Sequence, residues 1–185
     1  MLTLAFLVKM LIDFYISILL LRIWMKWSRC DFYNPFARLI VKVTQTMIEP
    51  FLRRIIPNCE SLDSVSLLLV LTLAMIKFPL LTLIEMKSLL FEPMYFLIGL
   101  LALLKAAGKL VFWVLIVRSL LSWTSPGRSP MDVIFYQLSE PLIQKIRCIL
   151  PTVGGIDFSV MLIILIIYAL NYFGMNLFPT IWNRL

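Results

Sequence analysis

The sequence predicts an all-α membrane protein: four transmembrane helices as two tandem hairpin repeats, each with a kinked cytoplasmic amphipathic helix between its two spans. Three observations predict it. Of the 185 residues, 62% are hydrophobic and 15% charged, whereas a soluble domain runs near 45–50% and about 25%. Apolar runs recur at lengths close to the roughly 20 residues that cross a bilayer core as a helix. Near its midpoint the chain begins again, motif by motif.

The first span is Leu2 to Trp24 and the last Phe158 to about Phe178; hydropathy alone leaves two or three spans between them. Internal similarity decides. Arg22-Ile-Trp-Met-Lys-Trp27 matches Arg118-Ser-Leu-Leu-Ser-Trp123 at an offset of 96, and Asn34-Pro35 matches Ser129-Pro130 at 95. Glu49-Pro50 matches Glu140-Pro141, Arg53-Arg54-Ile-Ile-Pro57 matches Arg147-Cys-Ile-Leu-Pro151, and Asp63 matches Asp157. Projecting the outer spans by these offsets puts the second at about 64–84 and the third at about 97–121. The first repeat is then 1–90 and the second 91–185. Each holds two spans, so both enter the membrane in the same sense.

Basic residues set the orientation. Arg22, Lys26, Arg29, Arg38, Lys42, Arg53, Arg54, Arg118, Arg128, Lys145 and Arg147 fall in the two inter-span segments, against Lys87 and Arg184 on the other side. That bias places the connectors in the cytoplasm and both termini outside a bacterial inner membrane. The first span is too long for a signal peptide and has an internal copy, so it is expected to be retained.

Each connector reads as an amphipathic helix, over 35–56 and 130–150. Phe36, Leu39, Ile40, Val43, Met47, Ile48 and Phe51 recur at helical spacing, as do Met131, Ile134, Phe135, Leu138, Leu142, Ile146 and Ile149. Asn34-Pro35 and Ser129-Pro130 are start signals, a capping side chain followed by a residue that lacks an amide proton. Pro50 and Pro141 predict a bend or restart. Asp63 and Asp157 suit the first turn of the spans that follow. Such helices can lie in the interface with Arg38, Lys42, Arg53, Arg54, Lys145 and Arg147 toward anionic headgroups, or pack the same face on the spans; the first arrangement is expected.

Lys9, Asp13, Lys77, Lys105, Lys109 and Asn171 are the residues a bilayer should exclude. A charge near its centre costs roughly 2.5–3.5 kcal/mol, so such groups usually face the bundle and pair. Asp13 could pair with Lys9 four residues earlier or reach Lys109 at equivalent depth, and Lys77, running the other way, arrives near the level of Lys9. Four lysines against one aspartate disfavour a cation path and would attract an anion or a lipid phosphate; the plainer role is structural pairing. Gly99, Ala102 and Ala106 form a small-residue stripe suited to close helix contact. Trp24, Trp27 and Trp123 fall near predicted span ends and read mainly as interfacial anchors, whereas Trp113 lies away from them.

The chain has no histidine, which removes imidazole-based triads, His zinc sites and His pH switches. No phosphate-cradling glycine loop stands out, nor a nucleophile beside a base, so no enzyme activity and no cofactor or metal are expected. Cys30, Cys59 and Cys148 lack metal or redox spacing and read as free thiols, with Cys148, next to Arg147, the best candidate for reactivity.

Arg22-Ile-Trp-Met-Lys-Trp27, Asp31-Phe-Tyr-Asn-Pro-Phe36, Glu140-Pro-Leu-Ile-Gln-Lys-Ile-Arg147 and Gly154-Gly155-Ile-Asp-Phe-Ser159 resemble the YggT family of bacterial and plastid membrane proteins, over essentially the whole chain. The first copy departs from the pattern, with Asn58-Cys-Glu-Ser-Leu-Asp63 replacing the diglycine. The resemblance implies an integral membrane protein without known catalysis. Relatives are associated with osmotic tolerance and ion uptake, with cell division or envelope organisation, and in plastids with thylakoid organisation and b-type cytochrome assembly. Many are single copies, which would make this chain a fused dimer. The expected role is membrane or envelope organisation or assembly through anionic lipid, a membrane-protein partner or a homo-oligomer, with no nucleic-acid partner. The alternative is a transport or osmotic-stress component using the intramembrane charges.

Overall fold

The computed structural model describes residues 2–55, 62–86, 94–124, 129–148 and 158–184, and the side chains within them except at 2, 47–55, 62–64, 85–86, 123–124, 180 and 183–184. All regular structure among these residues is helical: α1 (Leu2–Trp27), α2 (Pro35–Ile55), α3 (Leu62–Met86), α4 (Met94–Thr124), α5 (Pro130–Arg147), α6 (Ser159–Leu177) and α7 (Pro179–Arg184). Four are long and apolar enough to cross a bilayer, over Thr3–Trp27, Val65–Ile84, Met94–Ser122 and Ser159–Leu177. A helix satisfies its own backbone hydrogen bonds, which hydrocarbon cannot do for it.

The start signals work locally. Ser129 Oγ accepts from the Asp132 amide at 3.1 Å, with Pro130 in the first helical position. Asn34 Oδ1 accepts from the Phe36 amide at 3.1 Å. At the other end of α1, the Cys30 amide donates to Met25 O and the Arg29 amide to Lys26 O. These are the two bonds of a Schellman cap. Arg29 takes the left-handed position of that cap, φ 53°, which is normally glycine's.

The restart expected at the prolines does not occur. Helix α2 is continuous through position 50, and α5 through Pro141. Proline costs one backbone bond and some crowding, but Leu138 before Pro141 and Ile143 after it are both fully buried, which holds the two halves of α5 in one helix. Helix α6 starts after Phe158, which makes no side-chain cap; Asp157 and the Asp63 side chain, expected in the first turns of these spans, lie outside the described residues. Helix α7 was not expected from the sequence.

The chain forms two compact units that interleave along the sequence, Met1–Ile23 with Ile40–Ala107, and Trp24–Leu39 with Gly108–Leu185. In the first, Ile16 and Leu19 of α1 pack with Val65, Leu69, Val70 and Ala74 of α3, and Leu103 and Ala106 of α4 join them. The small-residue stripe permits this: a Cβ on Gly99 would stand 3.2 Å from Ala74 O. In the second, Leu115 of α4, Ile143 of α5 and Ile163 of α6 form the core. Helix α5 buries Ile134, Leu138 and Ile143, while Met131, Val133 and Tyr136 stay exposed.

Candidate functional site

The polar contacts that organise the connectors come in two copies. Arg22, near the end of α1 and buried, donates through Nη1 to Thr44 Oγ1 on α2 at 2.5 Å. Thr44 Oγ1 in turn donates to the backbone at Ile40 or Val41, 2.8 and 3.0 Å away. In the second copy Arg118, near the end of α4, donates through Nη1 to Ser139 Oγ on α5 at 2.5 Å. Ser139 Oγ bonds Phe135 O or Tyr136 O at 2.6 and 3.2 Å. A hydroxyl that gives its proton to the preceding turn keeps its lone pairs for the guanidinium. Each clasp thus ties a connector helix to the end of the span before it.

The second clasp carries more charge. Arg118 Nη2 and Arg147 Nη1 flank Glu140, each at 3.2 Å, and the Tyr136 ring lies 4.9 Å from the Arg118 guanidinium. Two arginines on one carboxylate leave the cluster positive. Lys145 Nζ sits 5.9 Å over the ring of Trp27, itself 57% exposed. Asn34 Nδ2 donates to Pro130 O at 2.6 Å, and the rings of Phe36 and Phe135 lie 5.8 Å apart. The Asp31 amide donates to Gln137 Oε1 at 3.0 Å. Residues 28–36 and α5 are thereby bonded within one unit.

Among the residues expected in the membrane, the structure joins Asp13 to Lys77: Nζ donates to Oδ1 at 2.5 Å. Lys77 is 2% exposed and Asp13 41%. Asn171 accepts from Trp182 Nε1 at 2.8 Å, tying α7 to α6. Lys109 is exposed, and Lys9 and Lys105 are half-buried and engaged. Arg38 and Lys42 are exposed on α2, with the Arg38 guanidinium 6.0 Å from the Tyr33 ring.

The expected anchor role divides among the tryptophans. Trp24 is buried, while Trp27 and Trp113 are exposed; the Trp123 side chain lies outside the described residues. The same holds for the Arg53, Arg54 and Pro50 side chains, for Pro57, Cys59, Pro151, Gly154 and Gly155, and for most of the turn expected near 85–95. Cys30 is buried, and burial pushes its thiol up to about 11; Cys148 is exposed. Among the described residues no three His, Cys, Asp or Glu side chains gather to hold a metal.

Sequence reasoning missed Thr44 and Ser139. The signal was present: the offset of 95 that aligns Asn34 with Ser129 also places 44 on 139. Aligning the two Glu-Pro pairs instead shifts the register by about one helical turn and hides the hydroxyls.

The family model described as CCB3/YggT matches residues 1–84 and 97–178. A relative described as "Uncharacterized protein YggT" from Escherichia coli (strain K12) is 46% identical over 191 residues, covering 99% of each chain. "Uncharacterized protein in proC 3'region" from Vibrio alginolyticus is 44% identical over 184 residues, again 99% of each. An "Uncharacterized protein" from Haemophilus influenzae is 36% identical over 96% of this chain and 94% of its own. No solved structure matches the chain.

Proposed function

Since the chain belongs to the CCB3/YggT family, we propose that it is a non-enzymatic protein of the bacterial inner membrane that organises the membrane or envelope through its two connector helices. In this reading the spans form two hairpins of the same sense. The connectors face the cytoplasm, and their basic residues engage anionic lipid or a membrane partner.

The duplicated clasp is the observation that carries the reading. Arg22–Thr44 and Arg118–Ser139 fix both connectors at the ends of their spans, where basic side chains meet the headgroup layer. Arg38, Lys42 and Lys145 stay exposed, as expected of groups that serve something outside the chain. Transport or osmotic adaptation is the second reading, favoured by the charged pair Lys77–Asp13 inside a span-length helix pair.

Two variant sets separate them in a strain lacking the gene. Replacing Arg53, Arg54, Lys145 and Arg147 by Gln should abolish rescue of growth and envelope integrity under osmotic shift at unchanged protein level. Replacing Lys105 and Lys109 by Leu should preserve it. The reverse result sinks the organising role in favour of transport.

A further inference from the structure

The second unit carries apolar surface outside the four span-length helices. Phe32, Tyr33, Leu39, Met131, Val133 and Tyr136 are all at least 40% exposed, Tyr33 reaching 82%. Within this surface Asn34, Pro35, Phe36, Leu39, Pro130 and Met131 line a hollow of about 300 Å³. Its polar member is already engaged. Asn34 donates to Pro130 O and accepts from the Phe36 amide, so the hollow offers its occupant apolar contact and little hydrogen bonding.

The surroundings are basic. Arg38, exposed, stands 6.0 Å from the Tyr33 ring. Arg29, also exposed, is held in left-handed backbone, a conformation that costs a non-glycine residue on the order of 1 kcal/mol or more. Of the nearby acids, Asp31 spends one carboxylate oxygen on the Tyr33 amide and Asp132, next to Met131, is buried. Over Trp24–Leu39 the charges are Lys26, Arg29 and Arg38 against Asp31. Apolar walls with Arg38 and an exposed tyrosine beside them match the two ends of one molecule, a hydrocarbon chain and a phosphate.

Resting on the reading of the connectors as lipid-binding, we propose that this hollow is a seat for an anionic phospholipid, one acyl chain lying against Phe36, Leu39 and Met131 and the phosphate beside Arg38. The test uses the full chain in phosphatidylcholine nanodiscs doped with phosphatidylglycerol bearing a diazirine on one acyl chain. After irradiation, adducts are located by peptide mass spectrometry. Adducts are expected on Phe36, Leu39 or Met131, about fivefold more from this probe than from a phosphatidylcholine probe, the worth of about one cation at an anionic surface. Arg38→Gln should remove that preference. Met131→Trp should fill the hollow and eliminate these adducts while those on the spans persist, which shows the variant is folded.

Equal labelling by both probes overturns the proposal. So does labelling of the spans alone together with disulfide dimers of a Leu39→Cys variant, since a second copy then covers the hollow. Adducts confined to the Lys145–Arg147 end of α5 sink the seat and leave the organising role standing; none on either connector sinks both.

Discussion

Lys77 donates to the carboxylate of Asp13 across 64 positions of chain, from a side chain that is 2% exposed. Removing one partner of such a pair leaves the other charge in apolar surroundings, at about 3–5 kcal/mol. Asp13→Leu should therefore lower resistance to denaturing detergent sharply. The double variant Asp13→Leu with Lys77→Leu should recover most of the loss, and equal damage from the single and double variants would show that the pair does not act as one unit.

The clasps depend on a hydroxyl, not on its size. Thr44→Val keeps the shape and loses the acceptor for a buried guanidinium, worth about 1.5–3 kcal/mol. Thr44→Ser should stay near wild type. Ser139→Ala should cost less than Thr44→Val, since Arg118 still holds Glu140. Thermal unfolding in detergent checks the order, and a Ser variant as weak as the Val variant would refute the hydroxyl's role.

Arg29 occupies a glycine position in the cap of α1. Arg29→Gly should raise stability by about 1 kcal/mol while weakening any contact the guanidinium makes with anionic lipid. A destabilised glycine variant would mean that the side chain holds the turn.

Gly174 is covered by an indole. A Cβ there would lie 2.6 Å from two ring carbons of Trp182, so Gly174→Ala must displace a rigid side chain that also bonds Asn171. The expected cost is about 1–3 kcal/mol, seen as a red-shifted Trp182 emission in a variant whose other four tryptophans are replaced by Phe. An unshifted spectrum contradicts the packing.

Burial holds the Cys30 thiol protonated to about pH 11, whereas thiolate is the form that alkylates. At pH 8 maleimide should modify exposed Cys148 well before Cys30, and Cys30 should react only as the pH approaches 11 or the protein unfolds. Peptide mass spectrometry over time resolves the two, and equal rates would refute the burial.

Much of this was legible from residues alone. The four span-length helices were legible because hydropathy over 20 residues is a property of the segment itself. The caps at Asn34 and Ser129 were legible because a side chain and its own next few amides suffice to make them. Helix α7 was not, since six residues show too little periodicity. Nor was the burial of Trp24, because an aromatic near a span end looks the same whether it faces lipid or a neighbour.

Composition and repetition by themselves determined the helical class, the four span-length helices found among the described residues, and two similar halves, since these follow from sums along the chain. Which groups meet was left open. The sequence offered Asp13 Lys9 or Lys109, and only the packing of α1 on α3 brings Lys77 to it; two registers related the repeats, and the arginines selected the one that sets Thr44 against Ser139. Such choices depend on which helices adjoin and at what depth. An ion pair or a buried hydroxyl contributes only where both groups lose their surroundings together, and that is decided when the helices pack.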